Sequence, residues 1–206
     1  MYKCFFKRFI DIVLSFVGII VLAIPMAVIT VIIKLDSPGR VFFRQKRIGI
    51  HKSTFDILKF RSMKTATPSD MPTHQLSGAE SYITKSGSFL RKYSLDELPQ
   101  LFNILKGDMT IIGPRPALWN QYDLIEERDK YGANDVKPGL TGWAQINGRD
   151  ELPIAVKARL DGEYVERMGF LFDCRCFFGT VLSVLKHDGV VEGGIKNTED
   201  EKMVLK

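Results

Sequence analysis

Ile12-Val13-Leu14-Ser15-Phe16-Val17-Gly18-Ile19-Ile20-Val21-Leu22-Ala23-Ile24-Pro25-Met26-Ala27-Val28-Ile29-Thr30-Val31-Ile32-Ile33 is a run of 22 residues without a charge, and its reading decides the fold. As one straight helix it would reach about 33 Å, enough to cross the hydrocarbon core of a bilayer. The flanks argue against crossing. Lys3, Lys7 and Arg8 stand before the run, and Lys34, Arg40, Arg44, Lys46 and Arg47 stand after it, so the positive-inside tendency assigns both ends to the cytoplasm. Pro25 lies near the middle. A helix that enters, breaks at Ile24-Pro25 and returns satisfies both flanks, whereas a single span satisfies only one. Backbone groups freed at the break then need partners, for which the Ser15 and Thr30 hydroxyls are candidates. A plain spanning anchor with a tolerated proline is the alternative. A cleaved leader fits less well, because the apolar run is long and no small-x-small pattern closes it.

Charge supports a membrane-surface protein. Residues 34–64 carry nine Lys or Arg against two Asp, a net of +7, whereas the whole 206-residue chain nets +5. The excess sits beside the apolar run, where it can meet anionic headgroups or a phosphate-bearing ligand. Nucleic acid is rejected as a partner: no zinc-finger spacing or RNA-binding motif accompanies the basic stretch. The Cys174-x-Cys176 pair has no second pair and no nearby histidine, which suits free cytosolic thiols rather than zinc or a disulfide framework. His51, His74 and His187 form no spacing pattern and read as surface residues.

The expected class is α+β and mostly helical. Residues 1–35 form the re-entrant membrane helix, and 36–206 form a small cytosolic, membrane-associated catalytic domain with a β-hairpin and interfacial amphipathic helices. The hairpin spans 40–63: Val41-Phe42-Phe43, a turn near Gly49 to Ser53, then Thr54 to Met63. In the second strand Phe55, Ile57, Lys59 and Arg61 share a face, and its two cations face either a site or water. Residues 64–88 are rich in Ser, Thr, Pro and Gly and read as a long polar loop, one use of which is a lid. Helical patterning resumes near Phe89 and runs through the acid pair, then again over 118–131 and over 154–186, interrupted near Gly169. Phe170, Leu171, Phe172, Phe177 and Phe178 suit a membrane interface or the core. The tail, 187–206, is polar.

The chemistry-bearing stretch is Ser94-Leu95-Asp96-Glu97-Leu98-Pro99-Gln100-Leu101, followed by Gly113-Pro114-Arg115-Pro116. Two adjacent carboxylates can hold a divalent cation, and a rigidly presented guanidinium can hold phosphate. The structural reading is a capping box, Ser94 with Glu97, opening an amphipathic helix that Gly107 ends. Pro99 is then at the fifth helical position; with Asp96 as N-cap it falls in the harmless first turn. Either way both carboxylates lie at the positive end of a helix, which favours their ionised form. In Lys137-Pro138-Gly139-Leu140-Thr141-Gly142-Trp143-Ala144-Gln145-Ile146-Asn147-Gly148-Arg149, the glycines allow close approach of backbone to phosphate or base. Thr141, Gly142, Gln145, Asn147 and Arg149 are therefore the candidate nucleotide contacts.

These blocks, with Lys59-Phe60-Arg61-Ser62-Met63, Leu90-Arg91-Lys92-Tyr93 and Asn103-Ile104-Leu105-Lys106-Gly107-Asp108-Met109, resemble in order those of the bacterial sugar transferases called monotopic phosphoglycosyl transferases. The resemblance runs from the first helix to about residue 186. It implies transfer of a sugar 1-phosphate from a UDP-sugar to polyprenyl (undecaprenyl) phosphate at the cytoplasmic face of the inner membrane, with release of UMP, as the first step of assembling a capsule, exopolysaccharide, O-antigen or protein glycan. By position it makes Asp96 the nucleophile and the Asp96-Glu97 dyad the Mg2+ site. Arg115 becomes the phosphate-holding arginine, Arg91 a steadying residue ahead of the dyad, Lys59 and Arg61 part of the basic strand, and Ile24-Pro25 the helix break.

Two features depart from the family's pattern. Thr84-Lys85-Ser86-Gly87 has lysine and serine where the family has arginine and an aliphatic residue, and Gly162 interrupts a helix that is usually continuous. The chain resembles the minimal catalytic form, without an added transmembrane bundle, and a homo-oligomer is compatible with it. The rival functional readings are a membrane phosphatase or nucleotidyl transferase using the same dyad, and a basic lipid-binding scaffold in which the acids only cap.

Overall fold

The computed structural model describes residues 2–68, 78–148 and 152–186. After one turn of π-helix, Tyr2–Phe6, the apolar run forms two helices, α1 (Lys7–Val21) and α2 (Ala23–Asp36), bent by 60°. The break falls at Leu22 and not at Ile24-Pro25, which corrects the expectation. The reason is the proline's own geometry: Pro25 sits in the first turn of α2, where its missing N–H is harmless. Its ring conflicts with the carbonyl four residues earlier, at Val21, the last residue of α1. The Ser15 and Thr30 hydroxyls do not serve the break. They bond the carbonyls of Ile12 (3.2 Å) and Met26 (2.9 Å) within their own helices. Neither helix alone is long and apolar enough to cross a membrane; the bent pair together has the length and composition of a broken span or a re-entrant loop.

The amphipathicity of α1 is inverted. Lys7, Asp11 and Ser15 recur every four residues and are buried, while Phe9, Phe16, Ile20 and Val21 are exposed. Lys7 and Asp11 have partners on the domain, whereas Ser15 bonds within its own helix. Asp11 accepts from the Thr110 hydroxyl (2.7 Å) and the Ile111 N–H (2.9 Å). Lys7 pairs with Asp173 at 2.6 Å, and the same carboxylate accepts from the Tyr2 and Tyr164 hydroxyls. Arg8 donates to the Ile104 and Leu105 carbonyls near the end of a domain helix, α5 (Gln100–Lys106). Helix α1 is thus docked largely by polar contacts, and the apolar residues on its far side face outward.

The hairpin pairs β1 (Phe42–Ile48) with β2 (Thr54–Phe60), Phe43 opposite Lys59 and Phe42 opposite Phe60. Its first strand extends well past the expected Val41–Phe43. Phe60 and Leu90 pack with Met26, Ile29 and Ile33 of α2, so the second membrane-type helix contributes to the domain's own core. The expected loop 64–88 contains helix: α3 (Ala79–Tyr82) precedes α4 (Lys85–Lys92), which Thr84 caps by accepting the Gly87 N–H. Residues 69–77 of that loop, with His74, lie outside the described residues, as does the tail.

Beyond α5, β3 (Thr110–Ile112) runs parallel to β4 (Gly139–Thr141), making a second two-stranded sheet. Between them α6 (Tyr122–Asp129) is shorter than the pattern over 118–131 implies, and it buries Arg128 against Asp161 at 2.6 Å. A single turn, α7 (Trp143–Ile146), leads to α8 (Ile154–Arg167) and α9 (Phe170–Lys186). Helix α8 runs through Gly162, contrary to expectation: the Tyr131 side chain occupies the space a Cβ would need there. On α9 the aromatic group divides, Phe172 packing with Trp143 and Tyr164 while Phe170, Leu171, Phe177 and Phe178 are exposed.

Replacing Asp11 with alanine would leave the Thr110 hydroxyl and the Ile111 N–H buried without an acceptor. A loss of about 1–3 kcal/mol is expected, read as a lowered unfolding temperature of the detergent-solubilised protein. An unchanged temperature would show that this docking contact contributes nothing.

Candidate active site

Helix α4 ends at Lys92, and Ser94 adopts a left-handed conformation (φ 55°) that turns the chain into one 3-10 turn, Leu95–Glu97. Ser94 therefore does not cap, and the capping box is not formed. Pro99 directly precedes α5, where a missing N–H is harmless, and Gly107 ends that helix as expected. Leu95 and Leu98 pack against the core that contains α2, which fixes the turn between them. The two acids thus sit, both largely buried, on a short turn anchored at either side by leucine.

Their environments differ. The Glu97 carboxylate is held by Lys59 (2.8 Å) and Arg115 (2.9 Å), both on the same oxygen. Burial raises its pKa, but these two hydrogen-bonded cations outweigh burial and hold the group well below the usual carboxylate range. Asp96 instead lines a cavity. Burial pushes its carboxyl up; Lys59, Arg91 and Arg115 pull against that push, the Glu97 charge adds to it, and the net direction is upward. The expectation that the helix end favours ionisation of both acids holds for Glu97 through its cation partners and does not hold for Asp96.

The cavity, about 960 Å³, lies between the end of α2, the hairpin and α4. Its walls carry Lys34, Arg40, Arg44 and Arg47 from the first part of the basic stretch, Lys59, Arg61 and Lys64 from the second, and Arg91. Asp96 is the one acid lining it among the described residues. Apolar surface comes from Val41, Phe42, Phe43, Phe60 and Met63. A concave, cation-walled space with one carboxylate facing in suits a phosphorylated ligand. Arg40, Arg44 and Arg47 were legible in the sequence only as a concentration of charge; none had been singled out.

The other expected site residues are placed as follows. Arg115 reaches the dyad through Glu97 and is not part of the cavity wall. Arg91 lines the cavity and acts on Asp96 by charge. Arg61 lies just past β2 and lines the cavity. Its guanidinium, however, binds the carbonyls of Ile33, Ser37 and Pro38 and the Ser37 hydroxyl, closing the C-terminal end of α2, so a phosphate would have to compete with four bonds. The expected nucleotide contacts have internal roles. Thr141 pairs with Thr180, Gln145 donates to the Leu140 carbonyl, and Asn147 donates to the Trp143 carbonyl. Gly142 and Gly139 do serve close approach, but to protein. A Cβ on either would collide with Gly113, which leads into Pro114-Arg115. None of these four candidates lines the cavity, and Arg149 lies outside the described residues.

No cluster of three or more His, Cys, Asp or Glu side chains occurs among the described residues. A magnesium ion does not need one, since it takes one or two carboxylates and completes its shell with water and substrate phosphate. The adjacent acids, one of them lining a cation-walled cavity, fit that requirement.

The sequence model of the bacterial sugar transferase family matches residues 2–187. The chain is 42% identical over 158 residues to an uncharacterised sugar transferase of Bacillus subtilis, covering 77% of this chain and 75% of that protein. It is also similar to UDP-glucose:undecaprenyl-phosphate glucose-1-phosphate transferases of Xanthomonas campestris (39% identical over 186 residues) and Escherichia coli (41% over 183 residues). These matches take in 87% and 85% of this chain and 38% and 39% of those proteins, so the chain spans well under half the length of either.

Gly142→Ala tests the close packing behind Arg115. The added methyl has no space against the Gly113 carbonyl, and overpacking of this kind costs about 1–3 kcal/mol. A lowered unfolding temperature is expected; a variant as stable as the parent would refute the tight crossing of these two segments.

Proposed function

Because the chain belongs to the bacterial sugar transferase family, we propose that it transfers a sugar 1-phosphate from a UDP-sugar to polyprenyl phosphate, with Asp96 as nucleophile. The observation that carries this reading is the asymmetry of the dyad: Glu97 is held by two cations, and Asp96 faces a cation-walled cavity. The names of the Xanthomonas and Escherichia relatives support the donor and acceptor classes.

In the first half-reaction a carboxylate oxygen of Asp96 attacks the phosphorus that bears the sugar. The bond from that phosphorus to the bridging oxygen breaks, UMP departs with the bonding pair, and an acyl phosphate remains on Asp96. In the second, an oxygen of polyprenyl phosphate attacks the same phosphorus, the carboxylate leaves, and a lipid-linked sugar diphosphate forms. The nucleophile must be ionised, and the charges of Lys59, Arg91 and Arg115 favour that form against burial. Phosphoryl transfer depends chiefly on positioning and neutralisation of charge. Lys59 and Arg115 fix Glu97 and add positive charge beside the reacting phosphates. Mg2+, held by Asp96 and Glu97 when bound, supplies further neutralisation.

The same reading makes the bent pair a re-entrant element in the cytoplasmic leaflet. Its outward apolar side, its break near mid-length and the cations on both flanks support this. It would bring the cavity to headgroup level, where a soluble nucleotide sugar and the phosphate of a buried lipid both have access.

Given UDP-sugar and Mg2+ without acceptor, the protein should release up to one UMP per site and retain a phosphosugar that later addition of lipid discharges. Asp96→Asn should lose both the burst and turnover. Arg115→Lys should lose about tenfold or more in turnover, because an ammonium cannot keep the guanidinium's bond to Glu97 and also offer further planar donors toward the substrate's phosphates. Mass spectrometry of the trapped protein is the check: an adduct on any residue other than Asp96 would refute the assignment.

A further inference from the structure

The cations of the cavity are not equivalent, because several already hold protein groups. Arg61 closes the end of α2, Lys59 holds Glu97, Arg47 binds Gln45 and the Pro116 carbonyl, Lys34 donates to the Gly39 carbonyl, and Lys64 donates to the Ser81 carbonyl. Arg40 and Arg44 are exposed and carry no such bond among the described residues. They bracket Phe42, and all three sit at alternate positions along β1 and its approach, so the strand's two-residue period gives them one face. Phe42 stacks on Phe60 at 5.4 Å, and Phe60 is packed against Met26, Ile29 and Ile33 of α2. An apolar path therefore runs from the helical pair to the strand, with a free guanidinium at either side of its aromatic end. Arg44 follows Phe43, whose partner across the hairpin is Lys59, the residue that holds Glu97. Arg44 itself pairs with Leu58, so its side chain leaves the hairpin on the face opposite Lys59, and what joins it to the dyad is the cavity that Arg44, Lys59 and Asp96 all line.

We infer that Arg40 and Arg44 form the subsite for the acceptor's phosphate monoester, with Phe42 and Phe60 flanking the first part of its hydrocarbon chain. The inference rests on the transferase reading above. A guanidinium on each side of an aromatic pair, continuous with an outward-facing apolar helix, matches a ligand whose charged head is joined to a long apolar tail. A nucleotide sugar has no such tail, and it would gain nothing from the path to α2. The two arginines then hold the incoming phosphate while the Lys59–Glu97–Arg115 cluster keeps the reacting centre in place.

The test separates the two half-reactions in full-chain protein reconstituted in phosphatidylcholine bilayers. Arg44→Gln and Arg40→Gln are compared with the parent, using a UDP-sugar on which the parent turns over and a series of polyprenyl phosphate contents. Acceptor-free release of UMP should fall less than lipid-dependent transfer does, and an unfolding temperature equal to the parent's shows that the variants are folded. The polyprenyl phosphate content giving half-maximal transfer should rise about tenfold for Arg44→Gln, with a smaller rise for Arg40→Gln. An unchanged requirement for the lipid, or loss of the UMP burst in both variants, would overturn the subsite. So would a defect seen only when phosphatidylglycerol is added, since that assigns the arginines to headgroups. A parent that releases no UMP from any UDP-sugar would instead overturn the transferase reading itself.

Discussion

The carboxylate of Asp11, buried between the Thr110 hydroxyl and the Ile111 N–H, joins the apolar helical pair to the strand that leads into Gly113-Pro114-Arg115. An acid in an apolar helix is tolerable only where its oxygens are satisfied, and β3 supplies those donors. With Lys7 on Asp173 and Arg8 on the last carbonyls of α5, the polar stripe of α1 sets the position of three elements at once. The apolar side is left facing outward as a consequence. One constraint thus fixes both the membrane-type surface and the strand that delivers Arg115.

The second dependency is the short turn that carries the acids. The left-handed Ser94 turns the chain out of α4 into a single 3-10 turn, from which Asp96 and Glu97 meet different neighbours. Glu97 is committed to Lys59 and Arg115, and Asp96 is left to the cavity. A buried carboxylate fixed by two cations is well suited to hold a charged neighbourhood in place, and removal of Glu97 would leave Lys59 and Arg115 without the partner they share.

Much of this was readable in the residues, and the misses have physical causes. The acid pair, Arg115, the glycine stop at Gly107 and the hairpin follow from local spacing, and local spacing is what a sequence displays. The bend was anticipated, but its place was not, because a proline acts on the carbonyl four residues before it. Strand parity leaves Arg61 facing a site or water, and the resemblance places it on the basic strand; its partners are carbonyls that become available only when α2 ends beside β2. The glycines of 137–149 read as points where backbone can approach phosphate or base, and at Gly139 and Gly142 the close approach the fold shows is to the Gly113 backbone. The four-residue spacing of Lys7, Asp11 and Ser15 was visible throughout. Lys7 had been counted as a flanking charge, and Asp11, just ahead of the apolar run, was not used. Its meaning depends on donors about a hundred positions away.

The central claim is that the dyad passes a phosphosugar from nucleotide to lipid. The most direct measurement is the product balance of purified protein in bilayers containing undecaprenyl phosphate, with Mg2+ and a panel of UDP-sugars. For at least one sugar, one UMP should be released for each lipid-linked sugar diphosphate formed, with both lost on chelation of the metal. Release of UDP with a lipid monophosphate sugar, or hydrolysis of the nucleotide without any lipid product, would contradict it.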